Sequence, residues 1–455
     1  MRRRTDVNFT EGPILKNMLL FAIPLAASGI LQLLFNAADT VVVGRFAGPN
    51  ELAAVGATGS AVNLIVNLCI GFSIGANVLV ARRIGEKDAE GVSRAVHTSM
   101  FLSVFLGLIA GLIGFFLAPR LLEVMDTPEV ILPSASAYLR VYFIGVPASI
   151  IYNFGASVLR ARGDSTRPLY FLVAAGVVNV LLNLIFVIGF GMGAVGVGAA
   201  TAISQFVSAF LVVICLVHEH SAVKLFFRKL CFHKKETLSV IGIGLPAGLQ
   251  SCLFNISNII VQASVNSFGS AAVVAGSAAA ANLEGFVSGA LGAFYQSQLT
   301  FGGQNYGAGK LGRIDKGLAV STGCVVVLGF VLGGLLWMFD GPLLSIYTSD
   351  PEVIHYGSIR ISYMALSMIL NGAMNTFMGS IRSMGYSVLT MCVTAFGACG
   401  LRILWIYTVF AANPTIGNVF IAYPITWTTT LCMHITCYFI VRKREQKKLL
   451  ANIPE

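Results

Sequence analysis

Long apolar stretches separated by short polar interruptions follow one another along the whole chain. Twelve can be marked, at approximately 14–46, 52–80, 95–118, 131–159, 168–190, 194–217, 238–268, 271–302, 317–339, 353–381, 386–410 and 415–441. Each exceeds the roughly 20 residues a helix needs to cross about 30 Å of hydrocarbon. Lipid offers the backbone no hydrogen-bond partners, so a spanning segment must satisfy its own N–H and C=O groups, as a helix does. The pattern predicts an all-α integral membrane protein with 12 transmembrane helices.

The stretches also repeat. Displacing the chain on itself by 222 residues sets Pro24 on Pro246, Phe46 on Phe268, Gly85 on Gly307, Arg160 on Arg382 and Gly163 on Gly385. "LRARGDS" then lies on "IRSMGYS", with a one-residue slip between "DTPEVI" and "SDPEVI". Each half carries six spans, an even number, so the halves share one orientation. The expected architecture is two six-helix lobes, residues 1–217 and 238–455, related by a pseudo-two-fold axis along the membrane normal with a cleft between them. Residues 218–237 form the basic connection.

Composition agrees. Only 11% of the 455 residues are charged and 56% are hydrophobic, with a mean hydropathy of +0.81; soluble domains carry about 25% charged residues. The net charge of +10 does not point to nucleic acid. Apart from Arg45, Arg120, Arg140, Arg360 and Arg402, every Lys and Arg falls in the termini or in alternate connections. That asymmetry is the positive-inside signature and puts both termini in the cytoplasm. The head "MRRRTDVNFTEGPILKN" precedes a run too long for a signal peptide, so no cleavable signal is expected. Nine cysteines without a C-x-x-C pair read as buried, reduced thiols.

Several motifs do not carry chemistry. "GMGAVG" at 191–196 fits a dinucleotide-binding pattern but joins two spans and follows no strand. His218 and His220 lie in the basic loop without a ligand cluster, and no Walker sequence is present to bind ATP. No grouping of His, Cys and acids suggests an enzyme.

Charge inside the spans is more informative. Among 20 acidic residues, Asp39 and Glu284 sit well within apolar runs. A charge at the bilayer centre costs at least a few kcal/mol, which makes such groups candidates for function. Asp39 lies roughly 10 Å from the outer end of the first span, at about 1.5 Å per residue. Asn179 and Asn183, on one face of the fifth span, and Thr201 in the sixth reach a similar depth. A carboxylate, two amides and a hydroxyl would suit Na⁺ or a protonatable acid, or could serve as ordinary interhelical hydrogen bonds. The repeat places Val261, Leu401 and Trp405 opposite Asp39, Asn179 and Asn183, so the polar cluster belongs to the first half alone. Asn36, Asn255, Asn258, Gln262, Glu284, Asn371 and Asn375 are candidates for lining the cleft. Pro24, inside the first span, removes a helix hydrogen bond and marks a hinge, static or mobile.

"NAADTVVVGRFAG", "LRARGDSTRPL", "NVLLNLIFVIGFGMGAVGVGAATAIS" and "GGQNYGAGK" together resemble the multidrug and toxic compound extrusion (MATE) family over essentially the whole chain. The resemblance implies a monomeric exporter in the bacterial inner membrane that needs no cofactor. It would exchange Na⁺ or H⁺ for small organic, often cationic, compounds across the lipid bilayer by alternating access. Asp39 corresponds to the family's first-helix coupling carboxylate, and Asn179, Asn183 and Thr201 to its N-lobe cation site, where Na⁺ would bind. Phe254 and Asn371 stand where the NorM-like branch carries carboxylates, so the chain resembles the DinF-like branch more closely. Glu284 falls where many relatives place an acid. A lipid-linked oligosaccharide flippase of the same superfamily is the alternative, suggested by Arg140, Arg360 and Arg402.

Overall fold

The computed structural model describes residues 7–125 and 127–451; the arginine triplet Arg2, Arg3 and Arg4 lies outside them. Among the described residues, all regular structure is helical. The first half runs α1 (Ile14–Phe46), α2 (Pro49–Gly85), α3 (Ala89–Val124), α4 (Leu132–Arg162), α5 (Thr166–Asn183) and α6 (Gly193–Val217). The second runs α7 (Lys234–Asn266), α8 (Ala271–Gly307), α9 (Leu311–Met338), α10 (Asp340–Leu344), α11 (Pro351–Met364) and α12 (Met368–Ser383). It closes with α13 (Ser387–Thr394), α14 (Leu401–Trp405), α15 (Ile416–Phe420) and α16 (Ala422–Ala451). Among the described residues, ten helical stretches are long and apolar enough to cross a membrane, or eleven if α11 and α12, bent by 45°, form one span.

The segment expected as the twelfth span, 415–441, is helical but falls below that threshold. Threonines dilute its apolar character, and most of their hydroxyls turn back onto the helix. Thr426 donates to the Ala422 carbonyl at 2.7 Å and Thr430 to the Thr426 carbonyl at 2.6 Å. Such back-bonding leaves α16 with few unmet polar groups despite its composition.

The repeat is visible in the helices. α1 and α7 both have 33 residues, α2 and α8 both have 37, and α8 starts and ends 222 positions after α2. Gly163 and Gly385, which follow α4 and α12, have φ of 103° and 92°. Only glycine adopts that conformation without strain, which is why the paired motifs share it. A π-helical turn follows Asn183 at Leu184–Gly189, and another follows Trp405 at Ile406–Phe410.

The chain forms two compact units, one built on Ile30–Gly248 and the other on Asn8–Gly29 with residues 249–451. Each division falls inside a helix, soon after Pro24 in α1 and just after Pro246 in α7. Proline leaves a carbonyl one turn earlier without its donor, so the chain changes unit where the helix ladder is weakest.

In the first unit α4 packs against α2, α3 and α6. Glycines set the spacing: a Cβ on Gly114 would lie 2.1 Å from the Phe143 ring, and one on Gly75 would lie 2.2 Å from the Val240 carbonyl oxygen. Helices in lipid gain little from hydrophobic burial against each other and depend on such close backbone approach. In the second unit α8 packs against α9, α11 and α12. Fully buried Phe9 meets Phe21 and Phe301 edge-on at 5.1 and 5.5 Å, and its carbonyl accepts from Asn305 and Arg313.

Beyond α6 the chain is held by Glu219, which accepts hydrogen bonds from Arg162 at 2.5 Å and Arg167 at 2.8 Å. Burial pushes this carboxyl up, but the Arg167 and Arg162 hydrogen bonds outweigh it and hold the group at about 2. A depressed carboxylate contributes its stability above the ordinary value of 4.5 and loses it as pH falls towards 2. Glu219→Gln should therefore cost about 2 kcal/mol at pH 7, less than the roughly 3–5 kcal/mol of a fully buried pair because both arginines are partly exposed. Thermal unfolding in detergent should show the gap between wild type and variant narrowing below pH 4.5.

Candidate functional site

Three helices of the first unit bring the polar cluster together. α1 carries half-buried Asp39 seven residues before its end at Phe46. α5 supplies the buried Asn179 and Asn183, and α6 supplies Thr201. The Asn183 amide donates to Asp39 Oδ1 at 2.5 Å and to Asn179 Oδ1 at 3.3 Å. Asn179 in turn donates to Thr201 Oγ1 at 3.3 Å. Asn183 Oδ1 is buried without a hydrogen-bond partner. The cluster thus spends its amide hydrogens internally and leaves oxygen acceptors available, a chemistry suited to a proton on the carboxylate or a hard cation.

A glycine that sequence reasoning passed over makes this convergence possible. A Cβ on Gly176 of α5 would lie 1.9 Å from the ring of Phe35, one turn before Asp39 on α1. Glycine at that point lets α1 seat directly against α5 and brings the carboxylate within reach of Asn183. The available signal was a lone glycine inside an apolar helix, close to two asparagines.

The second unit is built differently. At the 222-residue register Val261, Leu401, Trp405 and Tyr423 replace Asp39, Asn179, Asn183 and Thr201. Glu284 is clamped by Arg360, whose Nε donates to Oε1 and whose Nη2 donates to Oε2, both at 2.8 Å. Arg360 Nη1 donates to Ser277 Oγ at 2.8 Å. Both charges were visible inside spans of the same half, but their pairing was not. A cavity of about 370 Å³ opens here, and Asn258, Gln262, Glu284 and Asn371 of the expected cleft set line it. Asn375 stands behind, donating to Asn371 at 3.2 Å; Asn255 is half-buried on α7 outside the lining, and Asn36 is exposed on α1. Arg402, also in the lining, donates to Asn258 Oδ1 at 3.0 Å. Arg140 is exposed on α4, its guanidinium 5.9 Å from the Phe115 ring.

The MatE family profile matches residues 24–185 and again 246–408. The two matches begin at the prolines that head the repeat. This chain belongs to the MatE family. MatE proteins are transporters, not enzymes. The chain is similar to two probable multidrug resistance proteins of Bacillus subtilis strain 168. It is 27% identical to YpnP over 83% of this chain and 84% of that protein, and 25% identical to YoeA over 95% of each. Its fold matches a multidrug resistance MATE transporter of the MOP superfamily solved in an outward-facing conformation. The TM-score is 0.91 at 20% identity, over 97% of this chain and 99% of that one.

Two outcomes follow for this MatE chain. Gly176→Val should push α1 from α5, cost about 1–3 kcal/mol as an overpacking change, and abolish transport. Gly334→Ala, at a position with open space around it, should leave fold and transport intact. Size-exclusion profiles and efflux rates separate the two. Glu284→Gln strands the Arg360 guanidinium and should cost roughly 3–5 kcal/mol, whereas the double variant Glu284→Gln/Arg360→Met should recover much of it. Thermal unfolding of the single and double variants measures that coupling.

Proposed function

We propose that this chain is a secondary active exporter of small organic compounds, an antiporter in the bacterial cell membrane that exchanges cargo for H⁺ or Na⁺ at Asp39. The observation that carries the reading is the hydrogen bond from Asn183 to Asp39, within a polar cluster drawn from three membrane-spanning helices. A carboxylate at that depth is stable when neutralised, by a proton or by a cation held with the Asn179, Asn183 and Thr201 oxygens. Binding would remove the charge and let α1 straighten or bend beside Pro24, where Ser28 Oγ already donates to the Pro24 carbonyl at 2.8 Å. Alternating access follows if the charged and neutral forms of Asp39 favour different α1 conformations. No cofactor enters this scheme, and the basic connections keep both termini cytoplasmic.

The names of YpnP and YoeA support drugs as cargo. The cationic cargo implied by the family resemblance meets one opposing observation, the guanidinium of Arg402 in the second unit's cavity. The flippase alternative draws no support from the arginines. Arg360 is already engaged by Glu284, and Arg140 belongs to the other unit.

The test uses purified protein in proteoliposomes with a fluorescent substrate and separately imposed Na⁺ and H⁺ gradients. One gradient should drive efflux by the wild type, and Asp39→Asn should reduce that efflux to the passive leak while the protein remains folded. Wild-type efflux by Asp39→Asn would overturn the coupling role.

A further inference from the structure

We propose that the cavity of the second unit binds the carboxylate or phosphate of an organic anion through Arg402. The inference rests on the efflux reading for the ligand's role as cargo, and it adds the chemical class of that cargo.

Arg402 is 1% exposed and heads the fully buried side chains by size. Its Nη1 donates to Asn258, while its Nε and Nη2 have no hydrogen-bond partner. The guanidinium carbon lies 4.0 Å from the centre of the Tyr423 ring. That contact uses the flat face of the cation and leaves the in-plane N–H groups free. Nε and Nη2 lie along one edge of the guanidinium, the edge that takes a carboxylate or phosphate through two parallel bonds. Arg360 supplies the comparison within the same cavity. Its Nε and Nη2 hold the two oxygens of Glu284, each at 2.8 Å.

Charge balance points the same way. Among the described residues lining the cavity, Glu284, Arg360 and Arg402 are charged. The first two neutralise each other, which leaves Arg402 without a counter-charge. A buried cation with unmet donors is costly, and an anionic ligand supplies both the charge and the acceptors. Trp427 and Tyr423 add aromatic wall, while Gln262 and Asn371 add amides. The ligand should therefore carry a flat apolar body behind its anionic group. The repeat underlines the contrast, because Val261 and Tyr423 occupy the register positions of Asp39 and Thr201. One scaffold carries a carboxylate cluster in the first half and a guanidinium-lined cavity in the second.

Isothermal titration calorimetry of the full chain in neutral detergent tests this with 1-naphthoate, 1-naphthyl phosphate and 1-naphthylmethylammonium. The two anions should bind at least about tenfold more tightly than the ammonium, and Arg402→Gln should lose that preference. Asn258→Asp guards against misfolding as the explanation. It places a carboxylate beside Arg402, so it should unfold at the same or higher temperature while losing anion binding. Tighter binding of the ammonium, or wild-type anion binding by Asn258→Asp, would overturn the proposal. The titrations are repeated in nanodiscs of phosphatidylcholine and of phosphatidylglycerol. Binding retained in both supports a soluble anion, whereas loss in phosphatidylglycerol would assign the site to a lipid headgroup and overturn the cargo role. Efflux that fails while anion binding persists would sink the exporter reading and leave the site standing.

Discussion

Hydrocarbon tolerates a charge only if something nearby cancels it, and three sites within the helices of this protein meet that demand differently. Glu284 and Arg360 cancel each other through two parallel hydrogen bonds. Asp39 has no cationic partner in its polar cluster, where an amide donor is its closest company. Arg402 has an amide oxygen and an aromatic face. The first arrangement pairs its charges within the protein, whereas the other two have only neutral hydrogen-bond partners.

The duplication shows which features belong to the scaffold. Left-handed glycines after α4 and α12, a proline within α1 and α7, and a π-helical turn beyond Asn183 and Trp405 occur in both halves. None of these distinguishes one half from the other. The difference lies in a few side chains, Asp39 against Val261 and Thr201 against Tyr423.

Apolar run length made the helices legible, since each span has to be both long and oily. Counting residues from span ends also made the Asn183–Asp39 contact legible, because depth is nearly fixed by helical rise. Contacts set by rotation and tilt were not readable in this way. The seating of Phe35 on Gly176 depends on which way α1 and α5 face each other, and the Glu284–Arg360 pair joins helices whose adjacency no periodicity reveals. The expected twelfth span is helical as read, and it falls below the spanning threshold because hydropathy counts a threonine as polar even when its hydroxyl is already bonded to its own helix. The unit boundaries inside α1 and α7 were equally hidden, as an apolar run gives no sign of a change in packing partner.

Phe9 carries a consequence for synthesis. It sits among Phe21, Phe301 and Asn305, so residues 8–29 are built into a unit otherwise made from residues 249–451. Domains tend to fold as they leave the ribosome, amino-terminal first. Here residues 8–29 have partners translated only after the whole of the first unit. The first unit has its sequence complete at Gly248, while Asn8–Gly29 must wait in the bilayer for the rest of its fold. Translation that stops between the halves would leave the opening stretch of α1 without its packing partners, and such truncated chains should be recognised by membrane proteases through that stretch.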